Sequence, residues 1–218
     1  MEKGMTRQQR LRIAVLVAGL GLLPGATTLA EGFYFGAAGG ISKVDLGSKS
    51  ELDTIFFGGP VASSLDDTGN SFGVQIGYRW NSYLAVELGY VDFGKAVYKA
   101  DIPGFDTQFT ARFRSSGPTL SALGTLPVGE RFDLYGRGGV FYADTRYRER
   151  LDDMLSDEFI SGEVSGNSFD LLVGVGAAWN INATHSLRIE YQRFLDVGDE
   201  DETGEADVDL VTFGIVFR

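Results

Sequence analysis

The chain has 218 residues, with 30 acidic against 19 basic side chains and no cysteine. The absence of cysteine excludes disulfide-stapled secreted scaffolds and thiolate chemistry, and the acidic balance argues against nucleic acid or any other polyanion as a partner. The length suits one domain of ordinary size, and no run of 18 apolar residues follows residue 30, so a membrane crossing would have to be made by strands.

Residues 1–30 open with Lys3, Arg7, Arg10 and Arg12, run through the apolar stretch Ile13 to Leu23, break at Pro24-Gly25 and reach Thr28-Leu29-Ala30. The basic head, an apolar run too short to cross a bilayer and small residues at −3 and −1 predict a secretory signal peptide cut between Ala30 and Glu31. Four basic residues and one acidic one fall within 1–30, which leaves 15 against 29 and a formal charge of −14 on the expected mature domain, 31–218.

That domain alternates with period two. Phe72, Val74, Ile76, Tyr78 and Trp80 form one face of a segment whose other face is Gly73, Gln75, Gly77 and Arg79. The same pattern places Leu84, Val86, Leu88 and Tyr90 against Ala85, Glu87 and Gly89. It recurs with Leu187, Ile189 and Tyr191 against Arg188, Glu190 and Gln192, and with Val211, Phe213, Ile215 and Phe217 in the last segment. Eight strands are predicted, near 33–42, 70–80, 83–94, 117–127, 132–146, 168–180, 186–195 and 208–218. An even number is what closure of an antiparallel sheet requires.

The connections alternate in length. Asn81-Ser82, 128–131 and 181–185 read as tight turns, and 43–69, 95–116, 147–167 and 196–207 as long loops. Trp80, Tyr83, Phe132 and Trp179 gather at the tight-turn ends, where amphipathic rings favour the hydrocarbon–water boundary. A soluble barrel would alternate too, but it needs a charge-rich exterior and an apolar interior. Here the second face carries Gly, Ala, Gln, Glu and Arg, which suits a narrow lumen filled by side chains. The expected fold is all-β, an eight-stranded antiparallel transmembrane up-and-down β-barrel in the outer membrane of a Gram-negative bacterium, with short turns periplasmic and long loops extracellular.

The stretch Gly77-Tyr78-Arg79-Trp80-Asn81-Ser82-Tyr83-Leu84-Ala85-Val86-Glu87-Leu88-Gly89-Tyr90 resembles the second hairpin of the OmpA-like outer-membrane barrel family. Gly138-Gly139-Val140-Phe141-Tyr142-Ala143-Asp144-Thr145 is similar to that family's fifth strand. Arg188-Ile189-Glu190-Tyr191-Gln192 with Val197-Gly198-Asp199 is similar to its seventh strand and fourth loop. The sequence stops at the barrel, so the family's peptidoglycan tether is not carried over as an expectation, and Phe217 is penultimate where relatives usually end in the aromatic residue read by the barrel assembly machinery.

The resemblance implies an interior ion pair at Glu87 and Arg188, part of a gate in the family. Uncharged residues stand where the family has its alternative partners on strands four and six, with Ala178 near one of them. Arg137, Arg79, Asp133 and Glu190 fall on the same inward phase, and the favoured reading is that these charges satisfy one another and plug the barrel. Loop 196–207 holds seven carboxylates in twelve residues. Asp199, Asp201, Thr203 and Gly204 start like a calcium-binding helix–loop–helix motif, but Leu210 stands where a bidentate Glu is needed. A solvated acidic loop is expected, with at most weak association of Ca²⁺ or Mg²⁺ and no cofactor.

Gly69-Asn70-Ser71-Phe72-Gly73 matches the serine-hydrolase spacing G-x-S-x-G, yet it enters a strand rather than a helix, and the single histidine, His185, sits in a turn predicted at the opposite end. No catalytic site is expected. The function expected is a structural envelope role with surface interaction through four long, acidic loops. A small ion channel or an OmpW-like carrier of small molecules is the alternative. Expected partners are outer-membrane lipid and lipopolysaccharide, the barrel assembly machinery during biogenesis, and a surface ligand held by the loops. The barrel is expected to be a monomer.

Overall fold

The computed structural model describes residues 31–102, 107–153, 159–199 and 202–218. The expected signal peptide lies outside them. Ten strands and one helix follow in order: β1 (Gly32–Val44), α1 (Lys49–Phe57), β2 (Ser63–Asp66), β3 (Thr68–Arg79), β4 (Leu84–Asp92), β5 (Ala96–Asp101), β6 (Thr107–Val128), β7 (Phe132–Asp153), β8 (Phe159–Asn180), β9 (His185–Val197) and β10 (Ala206–Phe217).

Eight of the strands close a ring. Neighbours pair antiparallel in the order β1, β3, β4, β6, β7, β8, β9, β10, and β10 returns to β1 with Phe35 opposite Phe217 and Val44 opposite Val208. Closure removes every sheet edge within the ring, so backbone donors and acceptors are satisfied without water.

The side chains sort by the period-two rule. Phe33, Phe35, Phe72, Val74, Ile76, Leu84, Leu88, Leu120, Leu134, Leu171, Val173, Ile189 and Phe213 are all at least half exposed, or nearly so, while their chain neighbours are largely turned inward. So broad an apolar exterior is incompatible with water and matches the lipid face of a membrane barrel. Trp80, Phe132 and Trp179 stand exposed at the tight-turn end. Asn81 Oδ1 accepts from the amides of Tyr83 (2.8 Å) and Leu84 (2.9 Å), and Asn182 Oδ1 from those of Thr184 (2.9 Å) and His185 (2.8 Å), so both turns are locked by side-chain acceptors.

The other end differs from the expected loops. Residues 107–116 and 147–153 with 159–167 continue β6, β7 and β8, each of which is 22 residues long, and β5 and β2 add to this extension beside β6. At about 3.3 Å per residue such strands reach well beyond a hydrocarbon core that some ten tilted residues cross. Segment 43–69 contains α1. Its N-terminus is a capping box, in which Ser48 Oγ accepts from the Glu51 amide and the Glu51 carboxylate accepts from the Ser48 amide. Gly58 closes the helix at φ 75. Leu52 and Phe57 pack with Val61, Leu65, Tyr98, Ala100, Phe109, Ala111, Tyr147 and Leu151 into a small core outside the ring's apolar band.

Candidate functional site in the barrel lumen

The interior of the ring is filled in layers. In the layer toward the tight turns, Glu87 on β4 is 1% exposed. Its Oε1 accepts from Arg188 Nη1 on β9 (2.6 Å) and from the Tyr34 hydroxyl on β1 (2.7 Å), and its Oε2 pairs with Arg137 Nη2 on β7 (2.5 Å). Arg137 Nε in turn lies 2.6 Å from Glu190 Oε1, and Tyr135 donates to Glu190 Oε2 at 3.0 Å. The Arg188 guanidinium sits between two rings, 5.4 Å from that of Tyr34 and 5.3 Å from that of Tyr135. Two carboxylates and two guanidiniums therefore neutralise one another across three strands, β4, β7 and β9. Burial without such pairing would cost several kcal/mol per ion.

Space for the two tyrosines comes from glycine. A Cβ at Gly77 would meet the Tyr34 ring at 2.3 Å, and one at Gly176 the Tyr135 ring at 2.5 Å.

The remaining two charged residues picked from the alternation, Arg79 and Asp133, are buried nearer the turns and do not join this cluster. Asp133 Oδ2 accepts from Asn180 Nδ2 at 3.0 Å, and Asn180 Oδ1 accepts from Ser186 (2.7 Å) and Arg218 Nη2 (3.2 Å). Arg79 keeps Nε and Nη1 unpartnered in the interior.

Toward the long extensions the lumen turns apolar, which the reading of a small, polar inner face did not anticipate. Phe93, Phe141 and Phe194, at most 2% exposed, meet edge to face in a closed triangle with ring centroids 5.3, 4.7 and 5.2 Å apart. Val44, Val91, Phe113, Leu172, Val208 and Leu210 pack around them. Phe141 and Phe194 lie four residues beyond Arg137 and Glu190 on the same strands, about 13 Å along the chain. A charged lower plug and a greasy upper plug are thus stacked in one lumen. All three phenylalanines share the inward phase of Glu87, Arg137 and Arg188, so extending the alternation by a few residues would have found them.

Ser71 is buried in the lumen opposite Gly40 of β1, while His185 lies opposite Phe217 at the turn end and its ring contacts Thr184 and Asn182. The two sit in different layers and do not form a nucleophile–base pair. In loop 196–207, residues 200–201 lie outside the described residues. Asp199 there uses its carbonyl, amide and carboxylate on Thr203 and Glu202.

A closed eight-stranded ring with a lipid-facing exterior and a side-chain-filled lumen defines an outer-membrane β-barrel. The model of the OmpA-like transmembrane domain matches residues 28–218, and the chain belongs to that family. Outer membrane protein A of Serratia marcescens is 26% identical over 223 residues, covering 97% of this chain and 56% of that protein. The Yersinia pseudotuberculosis protein of the same name is 32% identical over 149 residues, 67% of this chain and 39% of its own. The chain spans about half the length of the curated relatives it matches or less. Among solved structures, Neisserial surface protein A aligns with a TM-score of 0.48 at 19% identity over 88% of this chain and 98% of its own. OprG of Pseudomonas aeruginosa aligns with a TM-score of 0.48 at 17% identity over 86% and 97%.

Proposed function

We propose that this protein is a non-enzymatic envelope scaffold: a sealed barrel that presents α1 and the extended β2, β5–β8 wall outside the cell and its tight turns to the periplasm. The observation that supports this reading is the doubly filled lumen. An ion or polar solute that passed the Glu87–Arg188–Arg137–Glu190 cluster would still meet the Phe93–Phe141–Phe194 triangle, where stripping its hydration shell has no compensating partner.

The carrier reading needs an apolar lumen with a lateral exit, which the charged lower layer disfavours. The channel reading draws on one feature, that Glu87 is shared by two arginines and so has a partner to spare in an exchange. Purified protein in planar bilayers separates the readings: the scaffold gives no steady conductance, and a reproducible open level in the unaltered protein overturns it. Ser50→Cys on α1 should react with a membrane-impermeant maleimide on intact cells and Glu130→Cys only after the envelope is opened; the reverse pattern refutes the orientation.

A further inference from the structure

The outward face of the extension carries a second, unrelated feature. On β6 and β7, Arg112 stands directly opposite Arg148 and Arg114 directly opposite Arg146. Like charges directly opposite on one face of a sheet destabilise it. In the next outward-facing row Thr110 is flanked by Lys99 on β5 and Arg150 on β7, and Lys95, just before β5, lines a hollow with Lys99 and Arg112, so this stretch of wall holds seven cations in a domain whose overall balance is strongly negative.

Carboxylates meet some of them: Arg114 pairs with Asp92 (2.6 Å), Arg146 with Asp144 (3.4 Å), Arg148 with Glu163, and Arg150 with Asp152 (2.6 Å). Arg112, Lys95 and Lys99 have no ion pair with another described residue. Two shallow hollows of about 340 and 350 Å³ meet at Arg112, one walled by Arg148, Arg150 and Phe159, the other by Lys95, Lys99 and Asp66. Along β7, Arg146 lies four residues beyond Tyr142, the outward aromatic at the upper end of the apolar band, which puts the first cation row about 13 Å farther along the strand. With strands tilted about 45° that row rises about 9 Å above the apolar band and the Arg112–Arg148 row about 5 Å more, at and beyond the headgroup layer where the phosphorylated sugars of a glycolipid lie, and the side chains are on the outer face of the wall rather than in the lumen.

We propose that this wall, Lys95, Lys99, Arg112, Arg114, Arg146 and Arg148, binds the phosphate groups of a phosphorylated glycolipid in the outer leaflet. A phosphate seated between opposed guanidiniums accepts charge-assisted hydrogen bonds from both and removes the like-charge cost built into the register. The formal charge of the whole domain disfavours free polyanions at a distance, but it acts weakly beyond about 10 Å in salt, whereas a lipid embedded beside the barrel is already in contact. The inference rests on the proposed outward orientation of these strands.

The test is native mass spectrometry of the full chain in detergent, titrated with rough-type lipopolysaccharide, intact or chemically dephosphorylated. The intact form should bind about tenfold more tightly than the dephosphorylated one, and Arg112→Gln with Arg148→Gln should erase most of that preference. Lys43→Gln, on β1 three strands round the ring from β6 and four from β7, should leave it unchanged, and both variants should keep the wild-type shift on unboiled gels, which shows that they fold. Binding that ignores phosphorylation, or that the double variant retains, overturns the proposal. Phosphate-indifferent lipid binding together with Arg112-dependent capture of a soluble heparin fragment also overturns it, in favour of a sulfated polysaccharide. Ser161→Cys, in the same wall, tells the two levels apart. Labelling on intact cells with no phosphate preference defeats this inference alone, and labelling only after permeabilisation defeats the orientation with it.

Discussion

Glu87→Ala removes the carboxylate that two guanidiniums share. In the intact lumen that group takes Arg188 at 2.6 Å, Arg137 at 2.5 Å and the Tyr34 hydroxyl at 2.7 Å. Without it Arg137 still has Glu190, but Arg188 has no other ion-pair partner among the described residues and keeps only its contacts with the Tyr34 and Tyr135 rings. An uncompensated buried charge costs about 3–5 kcal/mol. Arg188→Ala leaves Glu87 paired with Arg137 and should cost less, and the double variant Glu87→Ala/Arg188→Ala leaves the neutral Arg137–Glu190 pair. The double loss should therefore fall short of the sum of the single losses by about 2 kcal/mol, within the usual range for side chains in one network. Urea unfolding in lipid vesicles, followed by the fluorescence of Trp80 and Trp179, measures all four corners of the cycle. A Glu87→Ala protein within about 1 kcal/mol of wild type, or a cycle additive to about 0.5 kcal/mol, would refute a lumen held by shared charge.

Gly77→Ala should destabilise the barrel by about 1–3 kcal/mol, because the new methyl group lands 2.3 Å from the Tyr34 ring that is itself hydrogen-bonded to Glu87; a neutral result on the same unfolding curve would mean that the ring moves freely. Outside the membrane band, hydrogen bonds from Ser63 and Tyr98 hold the Asp53 carboxyl below its ordinary range. Burial, then the bond to Asp53, pushes the Tyr98 phenol up to about 12. Since the Asp53 pKa is lowered by folding, its contribution to docking α1 is complete above the unfolded value and is lost as pH falls through the folded one. Proteolytic protection of α1 should thus fade only below about pH 4 and Asp53→Asn should flatten that fade, while an unchanged acid limb in the variant would contradict the assignment.

The ring was legible because period-two alternation with a small second face has few physical solutions, and Phe72–Trp80 and Leu84–Tyr90 show it without interruption. The same signal hides the extension. Thr107–Ser116, Tyr147–Asp152 and Phe159–Gly166 mix polar with apolar residues, as strands exposed to water on one side must, but their Arg and Glu residues lower the contrast that marks a lipid-facing strand, so they read as loops. α1 has a local signature, Ser48 and Glu51 spaced as a capping box before Leu52, Ile55 and Phe56, inside the stretch 43–69 whose composition reads as a loop.

In the lumen, the inward phase of Glu87, Arg188, Arg137 and Glu190 was readable, but which charges meet depends on strand register and tilt, which no single sequence displays. Of the tyrosines that bind the carboxylates, Tyr34 lies in a Gly-rich strand and Tyr135 stands between Asp133 and Arg137 on the same inward phase, and their need for Gly77 and Gly176 emerges only across strands. The expectation of acidic loops was uneven: 95–116 carries Lys95, Lys99, Arg112 and Arg114 against Asp101 and Asp106, and only pairing with β7 turns those cations into a wall.

The central claim, two independent seals in one lumen, is tested most directly by single-channel recording of three variants in planar bilayers. Phe93→Ala/Phe141→Ala opens the upper layer, Glu87→Ala/Arg188→Ala the lower one, and the quadruple variant both. The two partial variants should stay closed and the quadruple variant should conduct. Steady current through either partial variant, or a silent quadruple variant that is shown to be folded, would contradict the account.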